Sequence, residues 1–153
     1  MGAPDRSKGG PTLGHAAPPP SDHEIQRVGH AVACGLRQRG SAAFAYLFGS
    51  FPQGLPFEDV DVAVYLAEAA EDPLTAALDL AAQLEEQAVL PVDVAVLHDA
   101  PVGLALAAVR GVLVFCRDPG AWQAFLEQTA LRALDTEHLR RESLRALLRV
   151  RTP

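Results

Sequence analysis

Three aspartates stand where aspartate is least expected, inside strand-like runs of valine and alanine. Asp59 and Asp61 lie at i and i+2 in one such run, and Asp93 lies in another. Aspartate is a poor strand former, and burying an ionised carboxylate without a partner is strongly unfavourable. Side chains alternate faces along a strand, so Asp59 and Asp61 point one way, with Ala63 and Tyr65 following on that face. Val60, Val62 and Val64 then point the other way, into a core. The pentapeptide Val-Asp-Val-Ala-Val occurs twice, over 60–64 and over 92–96, so Asp93 has the same surroundings as Asp61. If the two runs are neighbouring strands, all three carboxylates converge on one patch. Such a patch repels itself unless a cation sits in it, and hard oxygen donors suit Mg²⁺ or Mn²⁺. Two such ions stabilise the attacking and leaving oxygens of a phosphoryl-type displacement. The plainer alternative is exposed strand-end aspartates or partners of arginine, and the repeated pentapeptide weighs against it.

A second component precedes them. Tyr46-Leu47-Phe48-Gly49-Ser50 ends a strand-like run and enters a loop that closes with Gly54. Glycine lets backbone approach a ligand closely. A serine hydroxyl and backbone N–H groups at a helix start can hold phosphate. A lone Gly-Ser pair is usually only a turn, but here it lies just before Asp59 with a strand on each side.

These residues need elements to hold them. Ser21 and Glu24 have capping-box spacing, and Ile25, Val28, Val32 and Leu36 follow at helical intervals, predicting a helix that ends near Arg39 at Gly40. Apolar runs predict strands over 43–48, 60–66, 91–97 and 111–116, the last an edge strand. Pro73 opens a helix to about Ala88. A short helix is expected over 101–110, and a long one from Pro119, with a break near Asp135 and Thr136. Strands alternating with helices predict an α/β (α+β) layer structure with a mixed sheet of about four strands flanked by helices.

The chain has 153 residues and suits one domain; 49% of it is hydrophobic and 21% charged. Residues 1–20, rich in Gly, Pro and Ala with three consecutive prolines at the end, are expected to be a disordered leader that cannot bury enough apolar surface to offset its ordering entropy. The domain is expected over 21–150. A net charge of -6 argues against general nucleic-acid binding. Cys34 and Cys116 are widely separated within apolar stretches, so buried thiols in a reducing compartment are expected rather than a metal or dithiol site. No apolar run reaches the roughly 20 residues of a membrane span, and no signal-peptide core is present, which makes a cytoplasmic location the expectation.

Taken together, Leu47-Phe48-Gly49-Ser50, Gly54, Asp59-Val60-Asp61 and Asp93 resemble the signature of the DNA polymerase β-like nucleotidyltransferase superfamily. Within it the chain is similar to minimal nucleotidyltransferases, above all the MntA-type antitoxins partnered with HEPN-domain toxins. The resemblance spans about residues 21–149. It implies a mixed sheet flanked by helices, ATP as substrate, Mg²⁺ (or Mn²⁺) as cofactor, and adenylyl transfer to a tyrosine of a cognate HEPN toxin. It further implies that Gly49, Ser50 and Gly54 hold the triphosphate and that Asp59 and Asp61 bind metal. Asp93 would complete the metal site and help deprotonate the acceptor hydroxyl.

Three features depart from the family's pattern. Gln53 stands where an Arg or Lys is usual, Glu58 where a Ser is usual, and the 54–59 loop is about two residues short. A triphosphate meets one cation fewer and one carboxylate more. An alternative is therefore a catalytically weak or inactive module that neutralises a partner by binding. A small-molecule nucleotidyltransferase ranks last, because such relatives carry an extra helical domain. The oligomeric state, homo- or hetero-oligomeric, stays open.

The remaining candidates are weaker. His15, His23, His30, His98 and His138 show no paired-ligand spacing; His98 is expected in a solvated turn. Tyr65 is expected to pack in the core rather than stack on a base. The C-terminal stretch interleaves Leu134, Leu139, Leu144, Leu147 and Leu148 with arginines, and six of the thirteen Lys and Arg residues fall between Arg132 and Arg151. That pattern fits a core-facing helix with a solvated basic face, or a docking surface for an acidic partner.

Overall fold

The computed structural model of the chain describes residues 16–149. The first fifteen residues of the expected leader, His15 included, lie outside the described residues. In chain order the elements are α1 (Asp22–Arg39), β1 (Ala42–Phe48), a 3-10 turn (Phe51–Gln53), β2 (Val60–Leu66), α2 (Pro73–Ala88), β3 (Val92–Val96), α3 (Val102–Val109), β4 (Val112–Cys116) and α4 (Pro119–Arg149). The strands form one mixed sheet in the order β3-β2-β1-β4. β1 runs antiparallel to both of its neighbours, while β2 and β3 are parallel. Parallel neighbours cannot be joined by a hairpin, and α2 supplies the crossover.

Local chemistry accounts for the helix ends. The Ser21 hydroxyl accepts from the Glu24 amide at 3.2 Å, and the Glu24 carboxylate accepts from the Ser21 amide at 3.0 Å. This is the reciprocal cap expected from the sequence, and it satisfies two orphan donors at once. Gly40 ends α1 in the left-handed conformation at φ 68°, its amide donating to the Leu36 carbonyl. Asp72 caps α2 by accepting from the Thr75 amide, and Pro73 occupies the first turn.

The sheet is covered on both faces. Val60, Val62, Val64 and Leu66 of β2 join Val28, Val32 and Leu36 of α1 and Leu80 and Leu84 of α2 in one core. Phe44, Tyr46 and Ala63 face the other way and pack with Ala105, Ala108 and Phe125 of α3 and α4. The period-two alternation of β2 therefore separates two cores. Tyr46 is buried in the second of them, and its hydroxyl accepts a 2.5 Å hydrogen bond from the Trp122 indole. Burial pushes the Tyr46 phenol up, and the Trp122 donor pulls it back.

Several expectations need correction. α4 runs without a break through Asp135 and Thr136. The Thr136 hydroxyl donates back to the Arg132 carbonyl at 2.9 Å, so it turns its polar group onto the helix instead of interrupting it. Leu134 is 63% exposed and does not face the core. The side chains of Leu139, Leu144, Leu147 and Leu148 lie outside the described residues. Cys34 is half-buried beside His30, and Cys116 is exposed at the end of the edge strand β4. An apolar neighbourhood in sequence did not bury them, because α1 presents Cys34 at the margin of its packed stripe and β4 has a neighbour on one side only. The expected leader also reaches the domain earlier than Ser21. Ala17 and Phe57 exchange two backbone hydrogen bonds, at 2.7 and 3.3 Å, and Pro20 is buried. Among the described residues, no helix is long and apolar enough to cross a membrane.

Candidate functional site

The two copies of Val-Asp-Val-Ala-Val lie side by side. In the parallel β2–β3 pair Val60 faces Val92, Asp61 faces Asp93, Val62 faces Val94, Ala63 faces Ala95 and Val64 faces Val96. Neighbouring strands are about 4.8 Å apart, and laterally paired residues share a face. Asp61 and Asp93 are therefore adjacent on one face, and Asp59, in the bend just before β2 rather than in the strand, borders the same cleft as Asp61. On the other flank Asp61 pairs with Phe48, the last residue of β1.

Gly49 follows immediately and turns the chain at φ 74°. A Cβ at this position would run into the Asp61 carboxylate oxygen Oδ2. Gly49 thus serves two local demands: a left-handed backbone and clearance for the carboxylate. Ser50 is exposed at the start of the 3-10 turn, and its hydroxyl does not cap that turn. Gly54 closes the turn by donating its amide to the Phe51 carbonyl at 3.1 Å.

A cleft of about 400 Å³ opens here, bordered by Ala16, Ser50, Phe57, Glu58, Asp59 and Asp61. Asp93 stands next to it on the edge strand and is exposed, as Asp59 is, while Asp61 is half-buried. Gly54 does not border the cleft. Burial raises the Asp61 carboxyl above the usual carboxylate range, and the charges of Asp93 and Asp59 push it further the same way. Among the described residues no lysine or arginine forms an ion pair with any of the three aspartates. Among the described residues, no three acidic, histidine or cysteine side chains stand close enough together to hold an ion. A larger cavity of about 480 Å³ lies at the opposite end of β2, near Arg39, Leu66 and Asp79, away from the carboxylates.

Residues 33–120 match the family described as Polymerase beta, Nucleotidyltransferase. The chain belongs to this family. No curated protein sequence matches it. Among solved structures, a chain of the tri-AMPylated Shewanella oneidensis HEPN toxin in complex with MNT antitoxin is 21% identical at a TM-score of 0.62, over 81% of this chain and 98% of that one. A chain of the toxin–antitoxin MntA–HepT is 21% identical at a TM-score of 0.61, over 80% and 98%. A chain of a toxin–antitoxin crystallised with AMP-PNP is 22% identical at a TM-score of 0.64, over 78% and 98%. These chains share the nucleotidyltransferase fold with this one.

Within this nucleotidyltransferase domain, three neighbours of the site have no counterpart in the sequence reasoning. Ala16 forms one wall of the cleft, and the Ala17–Phe57 bridge ties the incoming chain to the loop that leads to Asp59. Phe57 is anchored by Phe51, whose ring centroid lies 4.8 Å away. Nothing local signals that pairing, because two backbone segments meet there without a side-chain pattern. Gln53 turns its side-chain amide back onto the Gly49 carbonyl at 3.2 Å, bracing the turn. His98 does not lie in a solvated turn. It is half-buried, its Nε2 is 2.9 Å from the Leu66 carbonyl, and its ring lies 4.1 Å from that of Tyr65. Tyr65 is also stacked on Phe44 at 4.9 Å, so both faces of its ring are covered, as packing required.

Proposed function

We propose that this chain transfers AMP from ATP to a hydroxyl, a tyrosine of a HEPN-type partner, and so acts as that partner's antitoxin. One observation carries the reading: Asp61 and Asp93 are in register on adjacent parallel strands, with Asp59 beside them and a glycine held clear of the Asp61 carboxylate. Family membership supports the reaction type. The acceptor and partner are suggested by the solved complexes, one of which is a tri-AMPylated HEPN toxin with MNT antitoxin.

The donor set fits a hard divalent cation. Three carboxylates share one edge, and burial, then the charges of Asp93 and Asp59, hold Asp61 above its ordinary range. Mg²⁺ or Mn²⁺ held by Asp59, Asp61 and Asp93 would neutralise charge building on the phosphate oxygens. The 49–54 turn receives the triphosphate at Gly49 and Ser50, and Gly54, which does not border the cleft, closes the turn behind them. The Ser50 hydroxyl is free to donate to a phosphate oxygen. The acceptor hydroxyl attacks the α-phosphorus in line, its proton passes to the exposed Asp93 carboxylate, and the bond from the α-phosphorus to the bridging oxygen breaks. Pyrophosphate leaves, and the acceptor carries AMP. The chain's contribution is positioning and electrostatics. Residues 21–150 carry this machinery, and residues 16–20 brace it through Ala17.

The test is incubation of the chain, a HEPN-type partner encoded beside it and α-labelled ATP with Mg²⁺. Label should pass to the partner, and Asp59→Ala/Asp61→Ala should abolish transfer. Wild type as silent as the double variant would remove the proposal.

A second reading is favoured by a specific feature: Glu58 adds a carboxylate to a cleft bordered by no cation, and Gln53 is occupied by the Gly49 carbonyl. In that reading the domain neutralises its partner by binding alone. Cells carrying the partner would then be protected equally by wild type and by Asp59→Ala/Asp61→Ala.

A further inference from the structure

Thr129 has an unused hydroxyl in a place where unused hydroxyls are rare. The residue is 3% exposed, on the face of α4 that packs against the sheet. A buried helical threonine ordinarily returns its hydroxyl to the carbonyl one turn back, as Thr136 does. Thr129 makes no hydrogen bond among the described residues, yet its oxygen is not sealed off. It borders a cavity of about 420 Å³ at the end of β2 and β3 opposite the aspartates.

The other walls are organised around that hydroxyl. Phe125, Gln128, Thr129 and Arg132 are spaced i, i+3, i+4 and i+7 and form one stripe along α4. One guanidinium nitrogen of Arg132 donates to the Ala100 carbonyl at 2.9 Å, which fixes the head at the rim. Its other N–H groups have no partner among the described residues. The floor is aromatic: the Tyr65 ring lies 5.8 Å from Phe125 and 4.1 Å from His98. Because the Leu66 carbonyl can only accept, His98 Nε2 carries a hydrogen. Asp99 places one negative charge on the wall.

We propose that this cavity binds a small monocarboxylate with an apolar body. The carboxylate accepts from the Arg132 guanidinium and the Thr129 hydroxyl, and the body lies against Phe125 and Leu97, beside Tyr65. Asp99 disfavours a dianion such as phosphate, and a neutral ligand leaves Arg132 unmatched. The volume falls within the usual range for small-ligand sites, about 300–1,000 Å³. The site uses none of the three aspartates, so it stands or falls apart from nucleotidyl transfer.

The experiment is a two-dimensional amide NMR titration of the full chain with benzoate, with benzamide and inorganic phosphate as comparison probes. Benzoate should give saturable shifts confined to the amides of residues 97–99 and 128–132. Thr129→Val and Arg132→Gln should each weaken that binding about tenfold while the rest of the spectrum stays folded. Thr129→Val keeps the side-chain shape nearly constant, so the Tm of the unliganded chain should stay close to that of wild type. Shifts that do not saturate, equal binding of benzamide, preference for phosphate, or benzoate binding untouched by both substitutions would each overturn the proposal.

Discussion

Gly49→Ala should unfold more easily than a turn glycine has any right to, because its new methyl group meets a carboxylate. The residue sits at φ 74°, where an L side chain costs about 1–2 kcal/mol. The added Cβ also overlaps Asp61 Oδ2, an overpacking penalty of about 1–3 kcal/mol. Together these give roughly 2–5 kcal/mol, a fall in Tm of roughly 5–15 °C for a domain of this size. Gly54 is the control: its φ is 72°, and a Cβ there meets nothing within 4 Å. Gly54→Ala should therefore lose only the backbone part, about 1–2 kcal/mol. Urea unfolding of the metal-free chain measures both. The decisive step is a double-mutant cycle. In an Asp61→Ala background the Gly49→Ala penalty should shrink to that of Gly54→Ala, a coupling of about 1–3 kcal/mol. Equal penalties for the two glycines, or a Gly49→Ala penalty indifferent to Asp61, would refute the packing argument. Gly49→Ala should also weaken divalent-ion binding by calorimetry, since Asp61 must turn aside.

Other outcomes follow from the same contacts. Burial, then Asp93 and Asp59, hold the Asp61 carboxyl above its ordinary range. A raised carboxyl contributes stability that is complete below its unfolded pKa and is lost as pH rises through its folded value. Metal-free Asp61→Asn should therefore be more stable than wild type at neutral pH, and the gap should close toward pH ~3 in urea melts; an advantage that grows on acidification would contradict the sign. Trp122→Phe strips the donor from the buried Tyr46 hydroxyl and should cost about 1–3 kcal/mol, whereas Tyr46→Phe/Trp122→Phe should recover part of that loss in thermal melts. Ala17→Pro deletes the 2.7 Å bond to the Phe57 carbonyl and should cost about 0.5–1.5 kcal/mol, with faster amide exchange in the 55–59 loop. Unchanged exchange there would mean that the bridge does not hold the loop that carries Asp59.

Much of this molecule is written in short-range pattern. The valines of β2 alternate with aspartate, alanine and tyrosine, and period two alone assigns the first set to one core and the second to the opposite face. Ser21 with Glu24, Pro73 and Gly40 mark helix ends because capping is a contact between residues at most a turn apart. The repeated Val-Asp-Val-Ala-Val pointed to matched strands for the same reason.

What tertiary structure alone decided is which segments meet. The sequence could not say that β2 and β3 are neighbours in exact residue-for-residue register; α2 packing back on the sheet brings Asp93 beside Asp61. It could not show that the Gly49 hydrogen faces a carboxylate, that Ala17 bridges Phe57, or that Tyr65 lies between Phe44 and His98. It erred on α4, because a polar Asp-Thr pair looks like a stop until the threonine hydroxyl is seen turned onto its own helix. It erred on the thiols, because an apolar neighbourhood along the chain says nothing about whether an edge strand has a neighbour. Periodicity reports the face a side chain takes, within a few residues of itself. Convergence of carboxylates depends on contacts between distant segments, which packing of whole elements determines.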